Sequence, residues 1–298
     1  MSTALLHQET LSAARIRPDF ERQPIDASAV GDVERRLGLG ERLLGNEGFR
    51  RTLLLLALAL LWEVYARLLG NPLLFPSFTE TIQAFWTDLW SGLLVTRVLA
   101  SLKSLVLGYA IGLALATALT ALAVSVRIGS DLLSTLTAMF NPLPAIALLP
   151  LALIWFGLGT PSLVFVIVHS VLWAVALNTL TGFRGVPETL RMTGHNLGLK
   201  GPRYVALILT PAAFPAILAG LKIGWAFAWR TLIAAELVFG VSSRSGGLGW
   251  YIFEARAQLE TSRVFAGLLA VILIGLLVES LIFRVIEART VQRWGMQR

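Results

Sequence analysis

Residues 187–215 read PETLRMTGHNLGLKGPRYVALILTPAAFP, a long polar and basic interruption in the apolar part of a 298-residue chain. On either side lies an apolar run of the length, about 20 residues, that crosses a bilayer. Charged side chains and unpaired backbone groups are costly in hydrocarbon, so the stretch reads as a loop outside the membrane. Arg184, Arg191, Lys200 and Arg203 lie in or beside it with one acid, Glu188. An excess of Lys and Arg in a short loop marks the cytoplasmic side. Residues 184–211 therefore read as a basic cytoplasmic surface that a partner can grip.

Working outward, span four is predicted over about Ser162 to Phe183 and span five over about Ala212 to Phe239. Span three, about Leu132 to Phe156, contains Pro142, Pro144 and Pro150. Interior prolines remove helix hydrogen bonds, so a bent axis is expected there. Span two, about Val98 to Val124, carries Gly108, Gly112 and Ala116 at every fourth position, a stripe that lets another helix approach closely. Span one runs from Leu53 to Leu69 behind Arg50 and Arg51, and span six covers about Val264 to Ile286. Between spans one and two, Thr79 to Trp90 sets Ile82, Phe85, Trp86, Leu89 and Trp90 toward one face, while Glu80, Gln83 and Asp88 interrupt it. That pattern predicts a short interfacial helix. The segment before span six, VSSRSGGLGWYIFEARAQLETSR, is too polar to cross. The fold class is an all-α membrane protein with six transmembrane helices.

Composition agrees. The chain is 56% hydrophobic and 14% charged, with mean hydropathy +0.72, which excludes an ordinary soluble domain. It has no Cys, so disulfides and thiolate metal sites are excluded, and His7, His169 and His195 show no ligand spacing. No metal and no cofactor is expected in this chain. The net charge of +7 looks like a nucleic-acid signal until it is divided by region. Residues 1–51 hold eight basic and eight acidic side chains, so the whole excess lies at the ends of spans, where it meets lipid headgroups. Nucleic-acid binding is rejected.

Residues 1–50 read as a cytoplasmic tail and residues 51–298 as the six-span domain. The first 30 residues lack periodicity and the apolar core of a signal peptide. From Asp32, Val33, Leu37 and Leu44 recur near helical spacing against Arg35, Arg36 and Arg42. A helix lying on the membrane and a solvated helix both fit that pattern. With the amino terminus inside, six spans return the carboxyl terminus to the same side. Seventeen Lys and Arg then fall inside, against Arg97, Arg244, Arg256 and Arg263 outside.

Lys222, Arg230 and Glu236 lie within span five, where ionisable groups are costly unless paired or lining an aqueous path. One reading has Arg230 and Lys222 attracting an anion along a path. The other has Lys222 reaching the interface while Arg230 and Glu236 hold helices together through buried pairs. His169 and Ser170 in span four do not make an intramembrane hydrolase, since no acid stands in a context that would orient a triad. No Gly-x4-Gly-Lys-Ser/Thr loop is present, so ATP is not bound and hydrolysed by this chain.

The central loop resembles that of type I ABC importer permeases. Their loop carries a Glu-Ala-Ala triplet, a glycine three residues after it, and an Ile-x-Leu-Pro ending after nine more. Here Gly198 and Ile208 keep the spacing to Pro211, while Met192, Thr193 and Gly194 replace the triplet and Thr210 replaces the leucine. NPLPAIALLPLALIWFG and FPAILAGLKIGWAFAWRTLIAAELVFG are similar to the branch that carries sulfonates, taurine and nitrate, and the likeness runs from about Leu53 to Trp294. The resemblance implies a permease dimer, two cytoplasmic ATPase subunits bearing ATP and Mg, and a periplasmic substrate-binding protein, all at a bacterial inner membrane. It implies that Glu188, Arg191, Met192, Thr193, Gly194, Gly198 and Lys200 form a coupling surface of one or two short helices. Any side chain at Gly198 is expected to crowd that contact. It also implies that the Ser243 to Gln258 segment meets the binding protein, through Arg244, Trp250 and Tyr251 beside glycines free to take unusual backbone angles. A simple re-entry turn is the alternative for that segment. For the whole chain, the rival is a gradient-driven anion carrier or channel.

Overall fold

The computed structural model describes residues 45–239 and 246–292, and all its regular elements there are helical. The tail before residue 45, with the expected helix after Asp32, and Arg244 lie outside the described residues.

Five helices are long and apolar enough to cross a membrane. They are α1 (Glu47–Leu69), α3 (Leu93–Ser125), α6 (Thr160–Arg184), the run Val205–Val238 containing α9 (Thr210–Phe239), and the run Thr261–Gln292 that opens with α11 (Thr261–Leu277). The candidate sixth crossing is a bent pair, α4 (Arg127–Phe140) with the 3₁₀ turn Ala145–Leu148 and α5 (Leu149–Phe156), turned by 87°. Span three was expected as one bent helix; it is instead broken between Phe140 and Ala145. Pro142 and Pro144 explain the break, since each lacks an N–H for the helix ladder, and the chain leaves helical geometry at Pro144 (φ −62°, ψ 120°) while Asn141 still keeps it.

The chain divides within α1, at Ala57, into two compact units. The described part of the first is a helical start in which Glu47 pairs with Arg51 at 2.9 Å, followed by exposed leucines at 53–56. The second unit, from Leu58, carries everything else. There α3, α6 and α9 stack on one another through small residues. A Cβ on Gly108 would lie 2.6 Å from Ile167, one on Gly112 would lie 2.8 Å from Val171, and one on Gly220 would lie 2.8 Å from Asn178. The fourfold stripe read in the sequence is thus the seam between α3 and α6. Leu105, Ile167, Val171, Ala228 and Leu232 fill this centre and are wholly buried.

The helix α2 (Phe78–Trp90) begins on a reciprocal cap, the Ser77 hydroxyl accepting from the Glu80 N–H and the Glu80 carboxylate accepting from the Ser77 N–H at 2.8 Å. Trp62 of α1 donates to the Pro76 carbonyl at 2.9 Å and packs on Phe75, Phe78 and Phe265. Asp88, expected as a polar interruption of an interfacial helix, is instead buried at 2% exposure, and this makes α2 a packed element.

Candidate functional site

The central loop folds as α7 (Glu188–Asn196) and the single turn α8 (Gly201–Tyr204), leading through a π-helical turn at Val205–Leu209 into α9. Arg191 faces back into the protein. Its guanidinium donates to the Phe183 carbonyl at 2.6 Å, in the last turn of α6, and to the Val186 carbonyl at 3.2 Å, just beyond it. Gly194 is buried under Tyr204, where a Cβ would lie 2.8 Å from the ring, and His195 packs on the same ring at 4.9 Å. Glu188, Met192, Thr193, Gly198 and Lys200 are exposed. Gly198 closes α7 with φ of +72°, its N–H donating to the His195 carbonyl at 2.9 Å. Among the described residues nothing lies within 4 Å of a Cβ there. Within the chain, then, the glycine answers to its left-handed backbone and not to crowding.

The three ionisable groups of α9 have three different surroundings. Lys222 is paired, its ammonium 2.8 Å from Glu287 and 3.5 Å from Glu279 on the last span. It therefore joins helices and is not a free charge. Glu236 is buried and accepts from the Ser101 hydroxyl at 2.8 Å and from the Gly249 N–H at 2.8 Å, while the Leu248 N–H donates to that same hydroxyl at 2.8 Å. One carboxylate so gathers α3, α9 and α10 (Leu248–Ala257).

Arg230 differs from both. It is exposed, its Nε donates to the Ala226 carbonyl at 3.2 Å, and its guanidinium lies 5.5 Å from the Phe227 ring centre. Among the described residues no carboxylate comes within ion-pair distance of it. It lines a cleft of about 370 Å³ beside the break in the third span, with Asn141, Ile146, His169, Trp173 and Thr231 in the wall. Such a cleft, with one cation and no acid among the described residues of its lining, can neutralise one negative charge.

The segment before the last span is a packed helix, not an open polar loop. Gly247 and Gly249 serve close approach: a Cβ on the first would run into Ser101 and Glu236, and one on the second would lie 2.5 Å from the Glu236 Cβ. Neither has positive φ, so the expectation of unusual backbone angles does not hold at these two positions. Tyr251, expected on the surface beside Trp250, is 3% exposed and donates to Asp88 at 2.6 Å. Arg263 approaches the same aspartate at 3.0 Å. Burial pushes the Tyr251 phenol up, and the neighbouring Asp88 carboxylate adds to the shift, so the hydroxyl stays a donor. Trp250 remains half-buried, stacked on Phe253. Asp88, Ser101 and Arg263, which anchor this region, were not singled out from sequence. The only signal was an acid on an otherwise apolar face of α2.

A helical body with six candidate crossings, a solvent-facing pair of short helices and a cationic cleft at a broken span is that of a membrane transport subunit. Residues 105–292 match the model of the binding-protein-dependent transport system inner membrane component. The taurine transport system permease protein of Escherichia coli is 30% identical over 73% of this chain and 80% of its own length. A Bacillus subtilis protein named for aliphatic sulfonates transport is 29% identical over 83% and 88%. The nitrate import permease protein of Synechocystis is 31% identical over 62% and 66%. The chain belongs to the family of binding-protein-dependent transport system inner membrane components, the type I ABC importer permeases.

Proposed function

We propose that this chain is the translocating subunit of an ATP-driven importer for a small oxyanion of the sulfonate, taurine or nitrate kind. The observation that carries the reading is Arg230, a membrane-span cation facing a cleft with no carboxylate beside it among the described residues. A lone cation is costly at that depth unless something passing through repays it. The relatives named for taurine, aliphatic sulfonates and nitrate agree, since all three solutes carry an anionic group.

In this reading two copies of the chain form a homodimer in a bacterial inner membrane, with both termini cytoplasmic. The chain itself catalyses nothing. Two partner ATPase subunits hold ATP and Mg and dock on α7 and α8, where exposed Glu188, Met192, Thr193 and Lys200 offer contacts. A periplasmic substrate-binding protein delivers the anion to the opposite face, near Trp250 and Arg256. ATP binding draws the ATPase pair together, and the permeases exchange an inward-facing for an outward-facing packing that the loaded binding protein also favours.

Reconstitution of permease, ATPase and binding protein in vesicles tests the reading. ATP-dependent anion uptake is expected, with Arg230→Ala lowering it more than Arg230→Lys. Uptake by the permease alone, driven by an ion gradient, would overturn it. A photoreactive residue at Arg256 is expected to capture the loaded binding protein.

A further inference from the structure

The cleft beside Arg230 has features that passage of an anion alone does not require. Its volume, about 370 Å³, suits a small organic molecule and not a bare inorganic ion. Much of its wall is apolar or aromatic, from Ile146, Trp173, Phe227 and Ala234. Phe140 stacks on Trp173 at 5.4 Å and 11°, which steadies that wall from behind. Ser170 and Thr231 join their hydroxyls at 2.8 Å across α6 and α9, and because the Ser170 hydroxyl donates to the Val166 carbonyl at 3.0 Å, the pair keeps lone pairs but no free donor toward the cleft.

A second observation is independent of Arg230. Both ring nitrogens of His169 and the Trp173 indole nitrogen are buried without a hydrogen-bond partner among the described residues. Buried polar groups are nearly always satisfied, and unsatisfied ones in native proteins call for an explanation. Here both residues belong to the wall of one cleft. Their nitrogens are covered in this conformation, whereas Arg230 is exposed as it stands.

We infer that the cleft between α6, α9 and the broken third span is a resident binding site for an organic monoanion whose apolar tail lies against Trp173 and Phe227 and which carries no ammonium group. The inference rests on the importer reading and narrows it. Arg230 holds the anionic head, with His169 and Trp173 as further donors. Among the described residues no Asp or Glu lines the cleft, so the ammonium of an aminosulfonate would lie beside a guanidinium with no acid of these residues to neutralise it. An unsubstituted alkanesulfonate satisfies both ends. The permease therefore makes a second selection after the binding protein has made the first.

The test uses the permease with its ATPase partners in lipid nanodiscs, without binding protein, and radiolabelled butane-1-sulfonate. Saturable binding is expected, weakened about tenfold or more by Arg230→Ala and much less by Arg230→Lys. Ala234→Leu, which fills the cleft and leaves every polar group in place, should weaken butanesulfonate more than methanesulfonate. Taurine and nitrate should compete about tenfold or more weakly than butanesulfonate. Absence of saturable binding, or binding untouched by both Arg230→Ala and Ala234→Leu, overturns the site. Taurine competing as well as butanesulfonate overturns the ligand class. The same preparation is assayed for ATP-driven uptake with binding protein added: uptake without binding sinks the resident site alone, and loss of uptake in the unaltered complex sinks the importer reading.

Discussion

The Ser101 hydroxyl lies 2.9 and 2.8 Å from the two carboxylate oxygens of Glu236 while accepting from the Leu248 N–H, so one serine joins a span, a second span and the start of a third helix. Removing it strands a buried N–H and takes a donor from a buried carboxylate. Ser101→Ala should cost roughly 1–3 kcal/mol, read as a lower unfolding midpoint of the detergent-solubilised complex. Glu236→Gln, which keeps an acceptor for Gly249, should cost less than Glu236→Ala. Equal midpoints for all three variants would remove this junction from the account of stability.

Asp88 makes the equivalent junction between α2, α10 and the last span. Tyr251→Phe leaves Arg263 on the aspartate and should cost about 1 kcal/mol, whereas Asp88→Asn loses the charge that Arg263 faces and should cost more. A double-mutant cycle should show coupling between the two positions. Because the folded phenol is pushed up, its contribution is full below the ordinary tyrosine range near pH 10 and is lost as pH rises and the unfolded tyrosine ionises. Tyr251→Phe should therefore flatten the fall in stability at high pH.

Lys222 and Arg230 should separate experimentally. Lys222→Met leaves Glu287 without its 2.8 Å partner and should lower the yield of folded permease, and Glu287→Gln in the same chain should restore part of it. Uptake per folded molecule should hold. Arg230→Ala should show the reverse pattern, normal yield with reduced uptake.

At Gly198, alanine enters open space but must adopt a left-handed backbone, at about 1–2 kcal/mol. Gly198→Ala should fold and still couple, while Gly198→Glu should hydrolyse ATP without transport in reconstituted vesicles. Unchanged coupling in the glutamate variant would remove α7 from the docking surface.

Much of the fold was legible because bilayer length and loop charge are long-range patterns that a linear chain carries openly. Gly108, Gly112 and Ala116 read as a packing seam for the same reason: their spacing is helical, and nothing but a neighbouring helix needs it. Tyr251 did not read correctly. Amphipathic residues after a glycine-rich turn suit a surface, and what draws this one inward is Asp88, 163 residues away in sequence. The break at 141–144 was visible as prolines but not as an 87° turn, because proline forbids helix without fixing the angle that follows. Arg230 was legible as an anomaly. Its cleft was not, since the walls come from three separate stretches that only the fold brings together.

The Arg191 guanidinium, bound to one carbonyl in the last turn of α6 and one in the connection after it, changes what kind of joint α6 and α7 make. With it the two helices are tied by a side chain as well as by the backbone, and α7 is a short arm on a 25-residue shaft. His169, Ser170 and Trp173 are carried on that shaft. A torque applied at the short arm is then delivered several turns away, at the wall of the cleft.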